Sequence, residues 1–131
     1  MPSKAILTPV FAFVLLGSAP SSAQENYNPS QIRVVRQLAS ARAMADLCGG
    51  LISASRTATA LRAVGLSEGD LQRTPLRDEL AKQRIALVDS YEALAMTNVG
   101  RREALQRQCI GLERLYGPRG TVIPGLAIQR R

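Results

Sequence analysis

Few side chains in this chain could carry out chemistry, and the absences restrict the possibilities most. The 131-residue sequence contains no histidine, the commonest general base, proton switch and metal ligand in proteins. Hydrolases that depend on a histidine base are therefore excluded within one chain, and the sequence has no P-loop. One carboxylate pair remains, because Asp89 and Glu92 flank Tyr91. Catalysis by such a pair needs a cleft and separated pKa values, and we favour the alternative of a solvated helix face. We expect no enzymatic activity, no metal site and no bound cofactor.

The basic residues could bind an anionic partner. The formal net charge is +7, and nearly all of it comes from arginine. The densest basic group could face an acidic protein, an anionic ligand or lipid headgroups; it consists of Arg101, Arg102, Arg107 and Arg114. The alternative is an ordinary solvated face, since Glu103 and Glu113 lie between these arginines. We expect no nucleic-acid binding, because the arginines are scattered and aromatic residues for base stacking are scarce.

The N-terminus has the three parts of a secretory signal. Lys4 supplies the positive charge, residues 5–17 are mostly apolar, and small residues lead up to Ala23. The apolar stretch is too short for a membrane anchor, which takes roughly 18 residues or more. We expect cleavage near Ala23, which leaves residues 24–131 as one periplasmic or secreted domain without a transmembrane segment.

The chain has two cysteines, Cys48 and Cys109. In an oxidising compartment such a pair normally forms a disulfide, and the alternative is two free buried thiols. Each cysteine lies on the apolar stripe of its own predicted helix. The first stripe is Val34, Leu38, Ala41, Ala45 and Cys48, and the second is Leu105, Cys109, Leu112 and Tyr116. A Cys48–Cys109 bond would therefore fasten the first helix to the last.

Capping signals and apolar spacing predict an all-α bundle of about four helices. The predicted helices are residues 29–48, 51–64, 75–97 and 101–116, with a short helical turn at residues 67–72. Asn28 and Thr74, each followed by proline, are the start signals, and Gly49 and Gly65 are stop signals. In the second helix we assign to the core a stripe of mostly small residues, Leu51, Ala54, Ala58 and Leu61. In the third helix one side carries Leu76, Leu80, Leu87, Tyr91 and Leu94. The sequence shows no convincing run of strands.

The C-terminal segment, residues 119–131, is too broken by glycine and proline for a long helix and too apolar for a plain tail. Two roles are open for Val122, Ile123 and Leu126. They either pack across the bundle or form an exposed strip that docks on a partner.

Several short motifs resemble a family of small exported alphaproteobacterial proteins, a domain of unknown function with two cysteines. The matching residues are Cys48, Gly65-Leu66-Ser67 with Leu71, Cys109-Ile110-Gly111-Leu112-Glu113, and Ile123-Pro124-Gly125-Leu126. Leu66 stands where the family often has tyrosine, and Pro124 interrupts the final motif. The resemblance implies a helical envelope protein and supplies no catalytic residues.

These observations favour a non-enzymatic exported protein that binds another protein or assembles with itself. The alternative is a protein that binds an anionic ligand or a membrane surface through the arginines of the fourth helix. The carboxylate pair Asp89 and Glu92 is the basis of a third hypothesis, an unusual hydrolase.

Overall fold

The computed structural model describes residues 27–128, so the predicted signal, residues 1–23, and its cleavage position near Ala23 lie outside the described residues. The elements are α1 (Pro29–Cys48), β1 (Leu51–Ile52), α2 (Ala54–Ala63), a 3₁₀ helix (Glu68–Gln72), α3 (Thr74–Ala95), α4 (Gly100–Tyr116) and β2 (Ala127–Ile128). Four α-helices dominate this part of the chain, which confirms the all-α prediction.

The first helix has the predicted bounds because both of its ends are encoded locally. The Asn28 side chain accepts a hydrogen bond from the Gln31 N–H at 2.9 Å, and the Gln31 side chain accepts one from the Asn28 N–H at 3.0 Å. This reciprocal pair satisfies two backbone donors at the start of α1. At the other end Gly49 has a φ of 73°, a left-handed conformation that glycine adopts without strain.

The second helix begins at Ala54 rather than at Leu51, so its predicted start is wrong. Ser53 caps the helix, since its hydroxyl accepts a hydrogen bond from the Arg56 N–H at 3.2 Å. The predicted core stripe is also wrong in part. Leu51 is 48% exposed and Ala54 is exposed, whereas Thr57 and Leu61 are the buried residues of α2.

Residues 51 and 52 form a short strand, which the sequence patterns did not indicate. Leu51 lies opposite Ile128, and Ile52 lies opposite Ala127, in an antiparallel pair. The pair joins two segments that are far apart in the sequence, so local periodicity could not reveal it. It fixes the end of the chain against the residues that follow α1.

The described part of the C-terminal segment, residues 119–128, packs on the bundle through Leu126 and Ala127, and residues 129–131 lie outside the described residues. Leu126 is fully buried, and its carbonyl accepts a hydrogen bond from the Ser53 N–H at 2.7 Å. The docking role considered for Leu126 is therefore wrong in this fold, because its side chain is part of the core. Ile123 is half-buried, while Val122 is 36% exposed.

The third helix starts without the predicted cap. Its N-cap is Arg73, which makes no side-chain capping bond, and Thr74 is the first helical residue. Hydrogen bonds stabilise the 3₁₀ helix that precedes α3. The Asp70 carboxylate accepts one from the Ser67 N–H at 2.8 Å and one from the Ser67 hydroxyl at 3.1 Å. The backbone bond is the first cause that holds the pKa of Asp70 below its usual range.

The predicted disulfide is confirmed, since Cys48 is bonded to Cys109 with a Cα–Cα distance of 5.6 Å. The α1 and α4 helices run antiparallel beside this bond. Below it, a side chain at Gly111 would meet Met44 of α1, with a Cβ only 3.2 Å from the Met44 methyl carbon. The close packing of α4 on α1 therefore continues from Cys109 toward the C-terminal end of α4.

Two ion pairs join α1 to α3. The Arg36 Nε lies 2.6 Å from the Glu79 Oε1, and one terminal nitrogen of Arg84 lies 3.2 Å from the Asp46 Oδ2. Asp46 follows Arg36 in α1, and its partner Arg84 follows Glu79 in α3, so the two helices run in roughly the same direction. The α2 helix carries the chain from the end of α1 back toward its start. The residue after α2 is Val64, whose carbonyl accepts a hydrogen bond from the Gln31 side chain at 3.0 Å.

Candidate interaction surface

The fold has two parts that differ in how many helices pack together. We call residues 86–108 the hairpin and the remaining described residues the body. The last residue of α1, Cys48, is bonded to Cys109, and α4 runs antiparallel to α1. Residues 100–108 therefore extend beyond the end of α1, by roughly 13 Å at 1.5 Å per residue. In the hairpin α3 and α4 pack mainly on each other.

Burial falls sharply in the hairpin. Tyr91 and Ala104 are its buried residues in the structure. The leucine stripe of α3 is fully buried at Leu76, where α1 covers it, but Leu87 and Leu94 on the same stripe are only half-buried. The stripe of α4 behaves in the same way, since Leu112 is 1% exposed and Leu105 is half-buried.

A cluster across the hairpin joins α3 to α4. Both terminal nitrogens of Arg101 donate to the two carboxylate oxygens of Glu92, each at 3.1 Å. The Arg101 guanidinium carbon also lies 5.8 Å from the centre of the Tyr91 ring, within the range of a cation–π contact. The hydrogen bonds from Arg101 are the first cause that lowers the pKa of Glu92, and those to Glu92 likewise raise the pKa of Arg101.

Two of the four arginines predicted as an anion site are paired with carboxylates of the same chain. Arg101 is committed to Glu92, and Arg107 donates to Glu103 of its own helix at 2.9 Å. Arg102 and Arg114 have no ion pair among the described residues. Arg102 and Arg114 lie on different sides of α4, because each residue of a helix turns by about 100°.

The carboxylates of the hydrolase hypothesis are not brought together in a cleft. Asp89 is exposed on the outside of α3, and Glu92 is bound to Arg101. Tyr91 between them is 5% exposed and faces α4. The lowered pKa keeps the Glu92 carboxyl ionised, which is the opposite of what a general acid requires.

The outer face of α3 was missed by the sequence analysis. We give this name to six residues that are all exposed and lie within about a third of the helix circumference: Lys82, Ile85, Ala86, Asp89, Ala93 and Met96. Met96 is 80% exposed and Ile85 is 61% exposed, the two highest values among the large exposed hydrophobic residues described. They are about three helical turns apart and so lie on one side. In the sequence, the sign that Ile85 and Met96 are exposed was that neither falls on the leucine stripe of α3.

A second feature is a cleft at the start of α1. Its volume is about 490 Å³, and it is lined by Tyr27, Pro29, Ile32, Arg33 and Arg36. Arg36 also reaches Glu79 of α3, whose side chain is only 8% exposed. All of these lining residues lie within residues 27–36, and sequence analysis did not single them out.

Within residues 27–128, no group of three or more cysteine and acidic side chains is placed to hold a metal ion. No helix in this range is both long and apolar enough to cross a membrane. Comparison of the chain with family models, with curated proteins and with solved structures found no match.

Proposed function

We propose that this protein is exported and acts without catalysis, by binding protein through the outer face of α3. The observation that carries the proposal is the exposure of Ile85 and Met96 on one side of a single helix. Single exposed apolar side chains are ordinary on protein surfaces, but apolar residues gathered on one face are typical of interaction sites. Ala86 and Ala93 lie between them and add no bulk, so a partner helix can approach closely.

Export is supported by two features from different parts of the chain. Residues 1–23 have the charge, apolar stretch and small residues of a cleavable signal. The Cys48–Cys109 bond is typical of an oxidising compartment such as the periplasm. The resemblance to exported two-cysteine proteins of alphaproteobacteria agrees with this location.

The test compares complexes in native envelope extracts. We expect the native protein to migrate as a complex larger than its monomer on a sizing column. Lysine at the face, as in Ile85→Lys and Met96→Lys, should release the monomer, because each change buries a charge in the contact. Ile110→Lys is the matched control, since Ile110 is a 51% exposed residue of α4 outside this face.

Two results would contradict the proposal. One is a native protein that is monomeric in the extract. The other is a complex that survives both lysine variants while their circular dichroism remains native.

A second candidate function is the binding of a small anionic ligand in the cleft of α1. The specific observation is that Arg33 and Arg36 line it together with Tyr27 and Ile32. Its volume is within the range of small-molecule sites, and the lining joins the positive charge of Arg33 to apolar surface, while Arg36 is paired with Glu79. This alternative is separate from the anion site predicted on α4.

Benzoate is a suitable probe for the cleft because it joins a carboxylate to an apolar ring. We expect it to shift the backbone amide resonances around Ile32, and Arg33→Ala to weaken this binding. Arg102→Ala removes an arginine of α4 and should leave benzoate binding unchanged. Absence of shifts around Ile32 at millimolar benzoate would exclude this function.

A further inference from the structure

We infer that the outer face of α3 binds the same face of a second copy of this chain, with the two α3 helices antiparallel. This inference rests on the proposed function and names the partner. It follows from the charges on the face and from their position along the helix.

Lys82 and Asp89 are the charged residues of the outer face of α3. They lie about two helical turns apart, so they share one side of the helix. Both are exposed, and neither forms an ion pair with another residue of the described chain. Every carboxylate of the hairpin other than Asp89 has an arginine partner, namely Glu92 with Arg101 and Glu103 with Arg107.

A two-fold axis makes this charge pattern self-complementary. In a symmetric contact, if one residue touches another on the partner copy, the reverse contact also forms. An axis that crosses α3 between Ile85 and Ala86 places Lys82 of each copy opposite Asp89 of the other. Two ion pairs form, and the charges of Lys82 and Asp89 balance, although the whole chain has a formal charge of +7. Asp78 is exposed on the same side of α3, about one turn before Lys82, and would lie nearer the end of the contact, opposite Ala93 of the other copy.

The parallel arrangement lacks this complementarity. Parallel α3 helices related by a two-fold axis would bring Lys82 against Lys82 and Asp89 against Asp89. Like charges opposite each other disfavour a complex, so the charges select the antiparallel arrangement.

The position of the axis also suits the length of the helix. The α3 helix extends from Thr74 to Ala95, so a point between Ile85 and Ala86 lies close to its middle. Antiparallel copies would then overlap along nearly the whole helix. Ile85 would be buried near the axis, and Ala86 would allow the two backbones to approach closely.

The experiment measures the dimerisation constant of the purified mature protein by sedimentation equilibrium. We expect a reversible dimer. Lys82→Glu or Asp89→Lys should each weaken it by about tenfold or more, since each change converts both ion pairs into like-charge pairs. The double variant Lys82→Glu/Asp89→Lys restores both pairs with exchanged signs and should recover most of the lost affinity. Arg102→Glu is the control, because it reverses a charge of α4 outside the face and should leave the dimer intact.

Recovery in the double variant supports the inference, because misfolding of the single variants would not be reversed by a second charge change. A protein that is monomeric at all concentrations would overturn the inference, and so would a dimer that ignores both single reversals. The proposed function is judged separately by the envelope complex. If that complex depends on Ile85 and Met96 while the purified protein is a monomer, a different protein occupies the face and only the self-association fails.

Discussion

The fully buried leucines of α3 and α4 both lie in the body, where α1 covers these helices, whereas the leucines of the hairpin are only partly buried. These two body leucines are Leu76 and Leu112, with exposures of 0% and 1%. Leu94 continues the stripe of Leu76 along α3, and among the described residues it lies beyond the end of α1. The same apolar spacing therefore produces a core where three helices meet and a surface where only two meet. An amphipathic stripe predicts which side of a helix is apolar, but the neighbouring elements decide how deeply that side is buried.

The disulfide lies at the boundary between these two parts. Cys48 is the last residue of α1, and Cys109 is the first residue of α4 below the hairpin. The bond therefore holds the base of the hairpin against the body. It also closes a long loop, because the cysteines are separated by 61 residues.

The largest expected effect comes from removing this bond. The double variant Cys48→Ala/Cys109→Ala should lower the free energy of unfolding by about 4 kcal/mol, because the open unfolded chain gains conformational entropy. Urea denaturation measures the loss, and amide exchange should show the earliest opening at the base of the hairpin. Wild-type protein treated with a reductant is the control and should behave like the variant. A loss below about 1 kcal/mol would show that packing alone holds the two parts together.

A smaller effect separates the two parts directly. Leu112→Ala in the body should cost about 2–5 kcal/mol, because the surrounding core cannot fill the cavity that it leaves. Leu94→Ala in the hairpin removes the same atoms from a half-exposed site and should cost less than about 1.5 kcal/mol. Both values come from urea denaturation of the purified protein at a concentration at which it is monomeric. Equal losses would contradict the distinction between a covered and an uncovered stripe.

The features that were predictable from sequence are those encoded within a few residues. The bounds of α1 follow from Asn28, Pro29 and Gly49, which act on their immediate neighbours. The disulfide was predictable because the predicted export signal and the two helical stripes indicated it independently. The strand at Leu51 was not predictable, because its partner Ile128 becomes a neighbour only after the whole bundle has formed.

The candidate surface shows the same limit. The pair of Glu103 with Arg107 could have been recognised from the sequence, since residues four apart on a helix are neighbours. The pair of Arg101 with Glu92 could not, because it depends on how α4 packs on α3. The exposure of Ile85 could not be predicted either, because it depends on which side of α3 the body covers.

The smallest expected effect is a difference in acid sensitivity between the hairpin and the turn before α3. The pKa values of Glu92 in the hairpin and Asp70 in the turn are both lowered in the folded protein, from the ordinary values of 4.5 and 3.8. A carboxyl with a lowered folded pKa stabilises the fold above its unfolded pKa, and this contribution disappears as the pH falls through the folded pKa. Amide protection should therefore decrease at both places between about pH 5 and pH 3.

Glu92→Gln separates the two contributions. It removes the ionisable group that Arg101 holds, so the hairpin amides should be less protected near neutral pH and should lose less protection on acidification. Residues 67–72 should keep the wild-type pH dependence, because Asp70 still accepts its hydrogen bonds from Ser67. The change should be small and should shrink at high salt, since the pair of Glu92 with Arg101 is exposed and screened. Equal acid sensitivity of the hairpin in wild type and variant would mean that this pair does not hold α3 to α4, and that apolar packing between the two helices does so.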